Sequence, residues 1–213
     1  MKPTFMLMTA FFIIGMNANG QNSIPNGGFE LWQDQPRSKP ANWNIVRYEF
    51  GEVNQTTDAY KGNYAVELKT IPIAEGSIST FPGWISTEFP FTQQIDTLAF
   101  WYKYTPTSID EAIVFLYFKI NGSNLDNSFG AYLSAAPTYT YMELPFDIGQ
   151  IPDTAQVEFM SSFDADTLTI NGSVLKVDEV YFKSQPIMTS TLNKTRNNKL
   201  EIYPNPCNGI FRL

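Results

Sequence analysis

The sequence predicts an all-β domain, a two-sheet β-sandwich of jelly-roll type. Three observations carry this. No stretch keeps an amphipathic helical period over a useful length, apolar residues recur instead at every second position in short runs, and Gly, Pro and Asn punctuate those runs. Side chains two apart on a strand share a face, so this alternation marks strands with one side in a core. Roughly ten such runs suit a jelly roll better than a closed barrel.

Taken in order, residues 1–20 read as a signal peptide, with Lys2 as its positive start, an apolar stretch over 5–15 and small residues at Ala18-Asn19-Gly20. Cleavage is expected after Gly20. The apolar stretch is too short to span a bilayer, so the reading is export without membrane insertion. Asn26-Gly27-Gly28 reads as a turn, and 29–32 as a short opening strand on which Phe29 and Leu31 pack while Glu30 is aimed away. Tyr64, Val66 and Leu68 alternate with Ala65, Glu67 and Lys69. Leu98, Phe100, Tyr102 and Tyr104 alternate with Ala99, Trp101 and Lys103, and Met142, Leu144 and Phe146 with Tyr141, Glu143 and Pro145. The run 112–120 is apolar on both faces, which predicts a central strand whose second side is covered or lines a cleft. Loops are expected at 36–42, 72–83, 106–110 and 121–127, and Val177-Asp178-Glu179-Val180 reads as the closing strand. The domain, 21–184, gives way to a Ser-, Thr-, Asn- and Lys-rich linker at 185–198. Residues 199–213 then read as strand, Pro-Asn-Pro turn and strand.

Composition narrows the chemistry. The chain of 213 residues carries 14 Lys and Arg against 21 Asp and Glu, a net charge of −7 that loss of Lys2 makes more negative. That argues against nucleic acid or anionic membrane as partners, since both require a basic surface. Cys207 is the only cysteine, so no disulfide forms within the chain. There is no histidine, which excludes Ser-His-Asp and Cys-His nucleophiles and most zinc sites and leaves carboxylate chemistry and oxygen-ligated calcium.

Two resemblances sharpen the reading. Tyr203-Pro204-Asn205-Pro206, followed after two residues by Gly209, resembles the opening of the type IX secretion sorting domain. That family continues through further strands, so 199–213 is read as an incomplete sorting domain: either the sequence is a piece of a longer chain or the signal is broken, and a chain ending at Leu213 is expected to reach the periplasm but to be poorly sorted to the surface. Asn26-Gly-Gly-Phe-Glu-Leu-Trp32, Pro40-Ala-Asn-Trp43, Asp58-Ala-Tyr-Lys-Gly-Asn-Tyr-Ala65, Phe100-Trp-Tyr-Lys-Tyr-Thr-Pro106 and Leu175-Lys-Val-Asp-Glu-Val180 follow one another as in secreted galactose-binding-like jelly rolls. Over residues 24–182 the chain is similar to their carbohydrate-binding modules and to carbohydrate-metabolism domains of type IX-exported proteins. The resemblance implies a structural calcium ion held by the Gly28 carbonyl, Glu30, Asp58, the Lys61 carbonyl and Asp178. Three carboxylates gathered without a cation would repel one another, and calcium accepts such oxygens. The alternative is three unrelated surface charges, with Lys61 as an ion-pair partner.

Sugar recognition calls for flat apolar rings beside a few polar groups. Trp32 and Trp43 lie in framework motifs and are expected in the core. Trp84 lies in the Phe81-Pro-Gly-Trp84 loop and is expected to be exposed. Trp101 alternates out of phase with its core-facing neighbours, with Phe115 and Tyr117 of the two-faced strand expected beside it. Trp84, Trp101 and Tyr117 are thus the candidate glycan contacts; a second apolar layer is the alternative reading of the same rings. No catalytic residue is assigned. A glycoside hydrolase would need two carboxylates facing across a cleft, and Asp110, Glu111, Glu143 and Glu158 show no distinguishing spacing. The Asp-Thr-Leu and Asp-Thr-Ala tripeptides at 96, 153 and 166 resemble a bacterial O-glycosylation pattern. The function expected is a secreted or cell-surface, non-catalytic, polysaccharide-binding protein exported by the type IX machinery. A hydrolase of the same architecture and an adhesive module that binds protein are the alternatives.

Overall fold

The structure, a computed structural model, describes residues 24–34, 38–46, 51–75, 79–92, 95–125, 128–163 and 171–184. The expected signal peptide at 1–20, the expected linker at 185–198, the expected sorting segment at 199–213 and Cys207 lie outside them. The strands are β1 (Trp32–Gln33), β2 (Lys39–Pro40), β3 (Asn44–Ile45), β4 (Glu52–Thr56), β5 (Ala65–Lys69), β6 (Ile71–Pro72), β7 (Thr80–Phe81) and β8 (Trp84–Pro90). There follow β9 (Thr97–Thr105), β10 (Ala112–Ile120), β11 (Ser123–Asn124), β12 (Phe129–Leu133), β13 (Ala136–Pro145), β14 (Thr154–Met160) and β15 (Val174–Lys183). Among the described residues no helix is long and apolar enough to cross a membrane.

Two antiparallel sheets form the sandwich. One runs β13-β9-β15-β5-β4; the other runs β11-β10-β14-β8-β3, with β12 also paired to β10. Alternation sets what lies between them. Leu98, Phe100, Tyr102 and Tyr104 of β9, Val66 and Leu68 of β5 and Leu175 and Val177 of β15 face inward. They meet Val114, Leu116 and Phe118 of β10, Val157 and Phe159 of β14 and Ile85 and Phe89 of β8. Aromatic pairs knit the layers: Phe100 meets Phe159 edge-on at 5.0 Å, and Trp43, fully buried, lies 5.1 Å from Phe29 and 6.2 Å from Phe159.

The opening turn docks on the closing strand. Val180 N–H donates to the Gly27 carbonyl at 2.9 Å, and a Cβ on Gly27 would fall 2.1 Å from the Val180 carbonyl oxygen, so only glycine fits. Asn26 ties the turn together through its amide, which donates to the Leu31 and Ala41 carbonyls and accepts from Leu31 N–H. The expected strand over 29–32 shrinks to β1, because Phe29 takes a positive φ of 52° and turns its ring inward. Leu31, expected to pack, is 63% exposed, because the strand alternation that would have buried it has not begun. Trp32 is half-buried against the core, its indole N–H donating to the Phe29 carbonyl. The loops expected over 36–42, 72–83 and 121–127 carry the short strands β2, β6, β7 and β11.

Candidate functional site

The outer face of the six-stranded sheet collects chemistry that a core does not need. Its geometry begins at Gly83, which passes so close to the other sheet that a Cβ there would fall 2.5 Å from Lys69 N and from the Glu52 carbonyl oxygen. Gly83 N–H donates to Ser161 Oγ, and Ser161 N–H returns a bond to the Gly83 carbonyl. This crossing delivers Trp84 as the first residue of β8, a strand position and not the expected loop, with its indole half-buried on the outer face.

Strand register then lays out the rest. Trp84 pairs with Met160 and Met160 with Ile113; Ser86 pairs with Glu158 and Glu158 with Phe115; Glu88 pairs with Gln156 and Gln156 with Tyr117. All of these positions alternate away from the core, as the two-faced composition of β10 predicts. Phe115 and Tyr117 stack at 5.8 Å, and Phe163 and Tyr132 extend the aromatic run beyond Phe115. Trp84 and Tyr117 stand two strands and four residues apart, about 16 Å by ordinary strand spacing and rise.

Between them lies Glu158, 7% exposed. Its Oε2 accepts from the Trp84 indole N–H at 3.2 Å and its Oε1 from Gln156 Nε2 at 2.6 Å. Burial pushes its carboxyl above the ordinary range, while the two donors, and Lys119 nearby, pull the other way. A carboxylate fixed on a floor of rings, with lone pairs left over, can accept hydroxyls from a sugar stacked on those rings. Glu158 was legible in the sequence only as one carboxylate among four; the signal for its role was alternation in β14, which puts Gln156, Glu158 and Met160 on the side away from Ala155, Val157 and Phe159.

Trp101 lies elsewhere. It points outward as its phase predicts, but β9 belongs to the other sheet, so Phe115 and Tyr117 are on the far side of the sandwich and not beside it. Its partners are Tyr60, stacked on it at 3.8 Å, and Tyr141 at 5.2 Å, with Tyr181 hydroxyl-bonded to Tyr141. One side of a cleft of about 410 Å³ here is Trp101 and Tyr60; Lys61, Gly28, Glu179 and Tyr181 complete it. Tyr60 stacks on one face of Trp101, so Trp101 holds down the 57–64 loop while it also borders this cleft.

The residues expected to hold calcium occupy the same end of the domain but answer to different partners. Asp178, fully buried, accepts at Oδ2 from Tyr60 N–H at 2.8 Å and Lys61 N–H at 3.0 Å, and at Oδ1 from Glu179 N–H at 2.8 Å. Glu30 Oε1 accepts from Asn63 and Tyr64 N–H, and Oε2 from the Asn63 amide. Asp58 Oδ2 accepts from Lys103 at 2.9 Å and Lys176 at 2.7 Å. The Lys61 ammonium pairs with Glu179, which also borders Gly28. Calcium requires six to eight converging lone pairs, whereas here hydrogens point at the oxygens, and among the described residues no three acidic, His or Cys side chains gather to hold a metal. In this arrangement the residues do not fit a shared calcium ion.

The other carboxylates are equally dispersed. Glu143 lies on the five-stranded sheet, paired with Lys183. Asp110 is buried and accepts from Ser162 Oγ at 2.7 Å, and Glu111 accepts from Ser134 Oγ at the edge. Glu88, diagonal to Glu158, is paired with Lys119.

No protein-family model and no curated protein matches the chain. Solved structures do. The carbohydrate-binding module TmCBM61, solved with β-1,4-galactotriose, superposes with a TM-score of 0.50 at 15% identity, over 77% of this chain and 99% of that one. This chain folds as that sandwich does. The enzymatically active domain of bacteriophage CBA120 tailspike protein 4 gives 0.55 at 17% identity over 76% of this chain, which spans only 21% of the tailspike chain. The family 11 carbohydrate-binding module of a Clostridium thermocellum cellulosomal cellulase gives 0.48 at 12% identity, over 78% of this chain and 95% of the module. Structural neighbours thus include carbohydrate-binding modules of β-sandwich type, and at these identities the likeness establishes the fold.

Proposed function

We propose that this protein binds polysaccharide, without cleaving it, on the outer face of its six-stranded sheet. The observation that supports this most is the placement of Trp84, Phe115 and Tyr117 around the Glu158–Gln156 pair on one side of three adjacent strands. Rings supply flat apolar area for the C–H faces of pyranoses, and the carboxylate and amide supply directional partners for hydroxyls. The separation of Trp84 and Tyr117 suits a glycan chain of several rings better than a single sugar. A non-catalytic role fits the carboxylates, since Glu158 and Glu143 are on opposite faces and Glu88 is bound to Lys119. Export is supported by the signal peptide and by the Tyr203-Pro204-Asn205-Pro206 motif, and it would put this face where extracellular polysaccharide is met.

Affinity electrophoresis and calorimetry of the purified protein against a panel of soluble glucans, galactans, mannans and xylans test the reading. Trp84→Ala and Tyr117→Ala should each weaken the binding found by about 1–3 kcal/mol with the fold intact. Binding unchanged in both variants, or none across the panel, would refute it.

A further inference from the structure

We infer that the six-stranded face is built for uncharged glycans and rejects polyanionic ones, with Glu158 as the residue that sets this preference. The inference rests on the proposed binding face, and it comes from the charges that face that surface. Among the described residues Lys119 is the cation projecting from the ring-bearing part of the sheet, and its ammonium is held against Glu88 at 2.5 Å, so that pair presents no net charge. Lys39 reaches the β3 edge, where its ammonium contacts Asn44 Oδ1 at 3.4 Å. Asp153, beside Thr154 at the other end of the face, adds a second carboxylate, with its oxygens taking Asn121 N–H and Thr154 Oγ1.

Among the described residues Glu158 is therefore the carboxylate at the centre of the floor with no cation among its hydrogen-bond partners, and it is nearly buried. Its two partners, the Trp84 indole and the Gln156 amide, are both neutral donors. They orient the carboxylate without cancelling its charge, and Trp84 is at once a donor to Glu158 and one of the rings a sugar would stack on. A neutral pyranose stacked between Trp84 and Phe115 would bring hydroxyl donors to this carboxylate. A uronate or sulfated sugar in the same pose would bring a second anion into a poorly solvated surface, where like charges repel strongly. The net charge of −7 adds a long-range term of the same sign.

The test uses pairs of glycans that differ only in charge. Cello-oligosaccharides are set against their C6-oxidised uronate forms, and β-1,4-mannan oligosaccharides against β-1,4-mannuronan oligosaccharides, all titrated into the purified protein at low salt. The expected result is that whichever neutral chain binds does so at least tenfold more tightly than its acidic counterpart. About 0.5 M salt, where the screening length is near 4 Å, should narrow that gap. Glu158→Gln, which keeps the shape and an acceptor oxygen, should narrow it to threefold or less at low salt. Acidic chains that bind as tightly as the neutral ones, with Trp84→Ala weakening both, would overturn the inference and leave the binding face standing. A gap that neither salt nor Glu158→Gln reduces would overturn the electrostatic cause. Absence of binding in every arm would overturn the binding face and this inference together.

Discussion

Asp178 shows how one side chain can hold a loop and carry a pH dependence. It is fully buried beneath the 57–64 loop and gathers three backbone N–H groups, from Tyr60, Lys61 and Glu179. Burial pushes its carboxyl up to about 6; those three donors pull down, and the charge of Glu179 pushes up again. An acid whose folded value exceeds its unfolded one, near 3.9, binds its proton more readily in the folded state. Its stabilising contribution is therefore full below about pH 4 and is lost as pH rises through about 6. Between pH 7 and pH 5 this group alone should add about 1 kcal/mol to stability. Glu30 and Asp58 oppose this only at lower pH, because hydrogen bonds and Lys176 and Lys103 hold their carboxyls below the ordinary range. Denaturant melts at the two pH values should show the gain in the wild type and lose it in Asp178→Asn. A gain of the same size in the variant would assign it to other groups.

At the scale of elements, the 57–64 loop is the instructive case. Glu30 holds it at Asn63 and Tyr64, Asp178 at Tyr60 and Lys61, Asp58 through Lys103 and Lys176, and Tyr139 donates its hydroxyl to the Asp58 carbonyl. A loop fastened by the chain's own donors needs no cation, so chelator should leave the melting temperature unmoved. Glu30→Gln should cost little, because an amide oxygen still accepts both N–H groups, whereas a lost calcium ligand would cost much more. A chelator-induced drop in melting temperature, abolished by Glu30→Gln or Asp178→Asn, would restore the ion. The motifs brought Glu30, Asp58 and Asp178 to one end of the domain in the sequence reading, and they are there. What the motifs could not express is which hydrogens the loop would turn toward those oxygens. Strands were legible wherever one face is buried, as in β5, β9 and β13, because alternation is a local signal. Which sheet a strand joins is not local. Trp101 and Tyr117 therefore read as neighbours although β9 and β10 lie in different sheets.

For the molecule as a whole, the two outer faces are chemically distinct. On the five-stranded sheet Trp101 lies under Tyr60, and the charged residues around it pair off, Lys183 with Glu143 and Lys176 with Asp58 and Glu67. On the six-stranded sheet Trp84, Phe115 and Tyr117 surround a carboxylate that has only neutral donors. The run 112–120 announced this second face in the sequence, since a strand apolar on both sides requires something beyond the core to meet it. Trp84 was legible as a ring outside the core, but its placement depends on Gly83 crossing between the sheets, a contact with β4 and β5 that no local pattern encodes. The central claim is that ligand meets the six-stranded face, and tryptophan indole N–H resonances read it directly. In a two-dimensional ¹H–¹⁵N spectrum titrated with a bound glycan, the Trp84 indole signal, whose proton is shared with Glu158, should shift progressively, while those of Trp101 and buried Trp43 stay in place. A shift of the Trp101 indole with Trp84 unmoved would contradict the account and move the site to the opposite sheet.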